Sequence, residues 1–142
     1  MNEMYKMVIM DHYKFPHYKY NNEQNYQKLL GYNPSCGDKL NLYVKLNEDE
    51  TLNLRWEGSG CSICCASCSI MCEEINNLSK NEAQIKINEF LKMLKNEKYN
   101  DTLFKDANVL IGLTEFPSRF KCGFLAWNTL DNFLKGNYEQ NN

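Results

Sequence analysis

No stretch of the sequence approaches the roughly 18 apolar residues that a membrane-spanning helix needs. The opening residues, MNEMYKMVIMDHYK, have neither the basic start nor the long apolar segment of a signal peptide. These absences predict a cytoplasmic protein with no membrane partner. The chain also lacks a strong charge of either sign. Its formal net charge is −2, and its lysines and arginines are scattered among acids, which excludes a nucleic-acid footprint. There is no internal repeat and no linker. With 142 residues, 43% of them hydrophobic, the chain is sized for one domain over residues 1–136, followed by a flexible tail at 137–142. What it has in excess is cysteine. There are seven, an odd number, so they cannot all pair as disulfides within one chain. In a reducing compartment such thiols point to metal or sulfur chemistry.

The pattern along the chain predicts an α+β fold: a small antiparallel sheet of about three strands packed against several helices. Met4 to Lys14 has apolar residues at Met4, Met7, Val8 and Met10, at helical spacing, and Pro16 closes that helix. A short strand is expected near Tyr26 to Leu30. Tyr32 to Asp38 reads as a loop. Leu40, Leu42, Val44 and Leu46 alternate with polar residues, as do Leu52, Leu54 and Trp56, which predicts a β-hairpin. Gly58-Ser59-Gly60 is expected to stop the sheet. Cys61 to Leu78 reads as a helix. Ser79 with Glu82 forms a capping box for the next helix, which runs to about Lys95. Asn96 to Asn108 reads as a polar connection and Val109 to Leu113 as a short apolar element. Phe116-Pro117 introduces a last helix with Phe120, Phe124 and Trp127 on its apolar face.

Three cysteines fall where the structure changes type. Cys36 lies in the loop before the hairpin, Cys61 opens a helix, and Cys122 lies in the first turns of the last helix. Near a helix N-terminus the unpaired N–H groups favour a thiolate, the form that binds metal and attacks sulfur. Asp38 follows Cys36 across Gly37, which permits a tight turn. Three cysteines and one carboxylate make a tetrahedral set for Zn²⁺, with the carboxylate the more exchangeable ligand. Their spacing has no CxxC…CxxC ribbon pattern. Taken alone it leaves two readings open: a metal site, or three buried thiols.

Four segments carry a resemblance: Tyr5 to Pro16, Asn33-Pro-Ser-Cys-Gly-Asp38, Glu57-Gly-Ser-Gly-Cys-Ser-Ile63 and Phe116-Pro-Ser-Arg-Phe-Lys-Cys122. They lie in order over nearly the whole chain, which resembles the NifU/IscU-like scaffold family and, within it, the SufU branch. Lys121 stands where IscU-type scaffolds carry His. The long gap between Cys61 and Cys122 can hold the insertion found in SufU-type proteins.

The resemblance implies zinc held by Cys36, Asp38, Cys61 and Cys122. It makes Cys36 the sulfur-accepting cysteine and Arg119 an arginine near the metal. It also implies a SufS-type cysteine desulfurase as partner, with downstream iron–sulfur assembly proteins beyond it. Three functions share these residues: a zinc-dependent sulfurtransferase that accepts persulfide sulfur, a scaffold for an iron–sulfur cluster with iron in place of zinc, or a zinc-stabilised docking module.

Cys64, Cys65, Cys68 and Cys72 lie outside the family motif. With Cys61 they form one stripe on a helix, and they read as packing residues. His12 reads as a capping or packing residue, His17 as exposed, and Trp56 and Trp127 as core or interface residues.

Overall fold

The alternating segments form the sheet. The computed structural model describes residues 1–136, so the expected tail at 137–142 lies outside the described residues. Strands β1 (Gln27–Asn33), β2 (Asp38–Leu46) and β3 (Leu52–Ser59) pair antiparallel in the order β1-β2-β3. Leu42 faces Trp56 across the β2–β3 ladder and Val44 faces Leu54. All four are buried, as alternation requires when one face of a sheet meets the core. Strand β3 runs one residue beyond Gly58 rather than stopping there. Gly58 stays in the ladder because its backbone passes so close to the Lys39 carbonyl that a side chain would collide with it.

Among the described residues there are four α-helices: α1 (Glu3–Lys14), α2 (Ser62–Ile75), α3 (Lys80–Leu94) and α4 (Phe120–Leu134); α2 and α4 pack on the sheet, α1 packs on α2 and α3 on α4. None of the described helices is long and apolar enough to cross a membrane. The Ser79–Glu82 capping box at the start of α3 is formed in both directions. Helix α2 runs back along β3. Its C-cap residue Asn76 accepts from the Leu54 N–H at 2.6 Å and donates to the Leu54 carbonyl at 3.2 Å. The helix is shorter than the Cys61–Leu78 expectation because these bonds, and that between the Leu52 N–H and the Leu78 carbonyl, turn the chain off toward α3.

The helix expected over Met4–Lys14 forms, but its methionines lie outside: Met4 and Met7 are 68% and 72% exposed. The helix packs instead through Tyr5, Val8, Ile9 and His12, a stripe with the same spacing rotated around the axis. The polar connection after α3 and the short apolar element beyond it carry regular turns. Segments Asp101–Leu103 and Asp106–Glu115 are 3₁₀ turns. The second is anchored by the buried Glu74, whose Oε2 accepts from the Lys105 and Ala107 N–H groups at 2.7 and 3.0 Å. Lys86 neutralises that carboxylate from α3, at 3.3 Å.

Candidate metal centre

The hairpin between β1 and β2 has a four-residue turn, and this turn builds one side of the site. Asn33 and Asp38 are its paired ends. Both therefore belong to strands, where a loop was expected. The Cys36 N–H donates to the Asn33 carbonyl at 3.3 Å, and Gly37 follows at φ +71°, a conformation that favours glycine. Cys36 is left exposed at the tip and Asp38 fully buried at the base.

The other side comes from two helix starts. Cys61 is the N-cap of α2, and its sulfur accepts from the Cys64 N–H at 3.4 Å. Cys122 lies in the first turn of α4, preceded by the short 3₁₀ turn Pro117–Arg119. The Cys122 thiol donates to the Cys36 sulfur at 3.3 Å. One donor atom from each of Cys36, Asp38 and Cys122 lies within 4.8 Å of the others. Cys61 stands outside that triad, beside Cys122, with its sulfur drawn toward its own helix start.

The carboxylate is held in place before any ligand binds. Asp38 Oδ1 accepts from the Cys61 N–H at 3.0 Å, and Oδ2 accepts from Asn33 Nδ2 at 3.2 Å. The same Asn33 amide points at the Cys122 sulfur, 3.8 Å away. No lysine or arginine forms an ion pair with Asp38 among the described residues. A buried carboxylate against two sulfurs, with no cationic side chain bonded to it, is a donor set that suits a divalent metal. Burial, with hydrogen bonds to Cys36, Asp38 and Cys61, pushes the Cys122 thiol far above its ordinary pKa. A metal there has to displace a proton.

Arg119 is exposed, and its interactions with Cys122, Cys61 and Cys36 raise the pKa of its guanidinium. A cleft of about 340 Å³ opens beside it, lined by Cys61, Ile63, Leu113, Phe116 and Lys6 among others. Lys121 is exposed and stands next to the site in sequence. The cysteine stripe of α2 turns away from the metal donors. Cys64, Cys68 and Cys72 are buried in the hydrophobic core, and Cys65 is half-buried. Burial raises the Cys65 thiol to about 11 and Cys68 well above the usual range. Cys72 is raised likewise, so Cys65, Cys68 and Cys72 are packing thiols in their protonated form.

Two residues went unnoticed in the sequence. Asn33 orients Asp38, and its only sequence signal is its place in Asn33-Pro-Ser-Cys36. Gly60 is the other: a Cβ there would collide with Asp38 Oδ1. Gly60→Ala is expected to cost about 1–3 kcal/mol from the clash and to lower metal content in the same preparation. Calorimetry with metal analysis checks both, and wild-type values for both would mean that Asp38 moves aside freely.

Fold and site together define a small α+β protein with a candidate cysteine–aspartate metal centre at the meeting of one hairpin turn and two helix starts. The chain belongs to the NifU/IscU family of iron–sulfur cluster assembly proteins, on its SufU side: the NifU-like N-terminal domain model matches residues 4–123. The iron-sulfur cluster assembly scaffold protein IscU of Streptococcus pyogenes is 35% identical over 95% of this chain and 85% of its own length. The zinc-dependent sulfurtransferase SufU of Bacillus subtilis is 35% identical over 92% of this chain and 89% of its own. A crystal structure of a putative iron-sulfur cluster assembly scaffold protein for the SUF system from Fervidobacterium islandicum superposes with a TM-score of 0.78. It is 28% identical, and the match covers 92% of this chain and 97% of that one.

Proposed function

We propose that this chain is a zinc-dependent sulfurtransferase that accepts persulfide sulfur from a SufS-type cysteine desulfurase for iron–sulfur cluster assembly in the cytoplasm. The observation that carries the reading is the contrast within the site: Cys36 is exposed on a glycine-hinged turn, while Asp38 and Cys122 behind it are buried. One donor can leave and return while the others stay. Cys36, Asp38, Cys61 and Cys122 would hold the ion. Zinc bound there keeps the thiols that ligate it deprotonated at neutral pH.

In the transfer, the Cys36 thiolate attacks the outer sulfur of the partner's cysteine persulfide. A new S–S bond forms on Cys36, the partner's S–S bond breaks, and the partner's cysteine leaves as a thiolate. The proton stays on the transferred sulfur, and no net oxidation occurs. Arg119, exposed beside the Cys122 sulfur, steadies negative charge at the site. Downstream iron–sulfur assembly proteins would then take the sulfur.

With Cys36→Ala, alanine release by the desulfurase is expected to fall to the level of the desulfurase alone. Retained stimulation would overturn the proposal and favour a docking module that needs no reactive thiol. The scaffold reading rests on the names of the IscU relatives. Lys121 before the third cysteine, where IscU-type scaffolds carry His, favours sulfur transfer. Metal analysis with a visible spectrum separates the two: one zinc and no colour supports transfer, whereas a brown protein containing inorganic sulfide supports the scaffold.

A further inference from the structure

His12 and His17 are the only histidines in the sequence, and the fold brings them together. Their ring centroids are 4.8 Å apart. His12 lies in the last turn of α1, His17 just past Pro16, Glu73 near the end of α2, and Asp106 at the start of the 3₁₀ segment Asp106–Glu115. His12 Nε2 is 2.7 Å from Asp106 Oδ2 and 4.0 Å from Glu73 Oε2, while His17 Nδ1 is 2.6 Å from that same Glu73 oxygen. One donor atom from each of His12, His17 and Glu73 lies within 4.8 Å of the others.

Two carboxylates thus face two imidazoles. Among the described residues, neither Glu73 nor Asp106 has a lysine or arginine ion-pair partner. The charge of the pair is left to protons or to a metal cation. The far side of the His12 ring is fixed as well. Its Nδ1 is 2.8 Å from Ser69 Oγ, which also accepts from the His17 N–H at 2.8 Å. One buried hydroxyl therefore sets both histidines. A polar partner on the second ring nitrogen is the usual device for presenting the first to a metal.

We propose that His12, His17, Glu73 and Asp106 form a second site, for a divalent transition metal that prefers imidazole and carboxylate to thiolate. Ligand atoms of a tetrahedral ion stand about 3.3 Å apart at bond lengths near 2 Å. The three His–carboxylate separations of 2.6–4.0 Å straddle that value; the donors of His12, His17 and Glu73 already lie within 4.8 Å of one another, and Asp106, held on His12, turns in as the fourth. His12 is buried, but the His17 and Asp106 side chains are 47% and 45% exposed, which leaves the ion a path in from solvent. The site is separate from the cysteine centre. Glu73 lies 12 residues along α2 from Cys61, which is roughly 18 Å at 1.5 Å per residue. The nitrogen–oxygen set suits zinc or ferrous iron, and it carries no sulfur ligand.

Cobalt(II) is the probe. It binds more weakly than zinc in the divalent series, so it leaves a zinc-loaded cysteine centre undisturbed. Titrated into the zinc-loaded full chain, one equivalent of Co²⁺ is expected to bind with visible d–d bands of a four-coordinate ion and no sulfur-to-cobalt charge transfer. His17→Ala and Glu73→Gln are each expected to weaken that binding by at least about tenfold while the bound zinc is retained. Their partial exposure keeps both variants folded, which an unchanged melting temperature without cobalt verifies. No bound equivalent, charge-transfer intensity in the bound equivalent, or unchanged affinity in both variants would overturn the proposal. If the chain as purified carries no zinc, cobalt also enters the cysteine centre with charge-transfer bands, and the equivalent without charge transfer is counted apart from it.

Discussion

Treating the zinc-loaded protein with a chelator is expected to lower its melting temperature by roughly 10–20 °C. The proposed cysteine–aspartate centre joins the β1–β2 turn to the starts of α2 and α4, which are separated along the chain by strands β2 and β3 and by helices α2 and α3. An ion present at about 1,000 times its dissociation constant stabilises the native state by about 4 kcal/mol, and each kcal/mol is worth a few degrees in a domain of this size. Differential scanning calorimetry with and without chelator measures the effect, and identical melts would mean that the ion does not hold the fold. The pH dependence has a definite sign. The Cys122 thiol is held protonated without metal, so loading releases a proton. Apparent zinc affinity should then rise by about tenfold per pH unit for each proton released, and metal should be lost on acidification.

A loss of similar size is expected from Trp127→Ala. Trp127 is fully buried on α4, with its ring 3.8 Å from Phe90 of α3 and 6.4 Å from Phe104, centroid to centroid. Its indole N–H donates to Ser67 Oγ at 3.0 Å, and that hydroxyl donates to the Gly123 carbonyl at 2.6 Å. Truncation removes the aromatic contacts and leaves Ser67 without its donor. Buried aromatic-to-alanine changes cost about 3–5 kcal/mol, so chemical denaturation should show that loss with an unchanged slope. Gly123 is the residue after Cys122, so metal retention should fall in the same variant. A variant as stable as the parent would mean that α4 repacks around the hole.

Strands β2 and β3 were legible in the sequence because each buries one face, and alternation reports burial directly. The Ser79–Glu82 box was legible because capping is local. Strand β1 was harder: Leu29 and Asn33 are its buried residues, so its alternation is faint. Helix α1 was legible as a helix, but helical spacing shows that a stripe exists, not which of two overlapping stripes meets the core. The 3₁₀ segment after Asp106 takes its order from Glu74, more than thirty residues earlier, and no local pattern carries that. At the site, residue types and the glycine beside Cys36 pointed toward metal. The approach of Cys36, Asp38 and Cys122 is tertiary, and it became readable only through the resemblance to a family. Asn33 and the joining of His12 to His17 depend on the same long-range packing.

The four-residue turn that carries Cys36 has a consequence for timing. Its ends, Asn33 and Asp38, are clamped in a β-ladder, so only the tip is free to move the sulfur. Motions of so short a loop run in nanoseconds to microseconds, well ahead of domain rearrangements. Sulfur delivery through Cys36 would then be paced by the meeting of two proteins and by the chemistry of the S–S bond, with the swing of the turn contributing almost no delay.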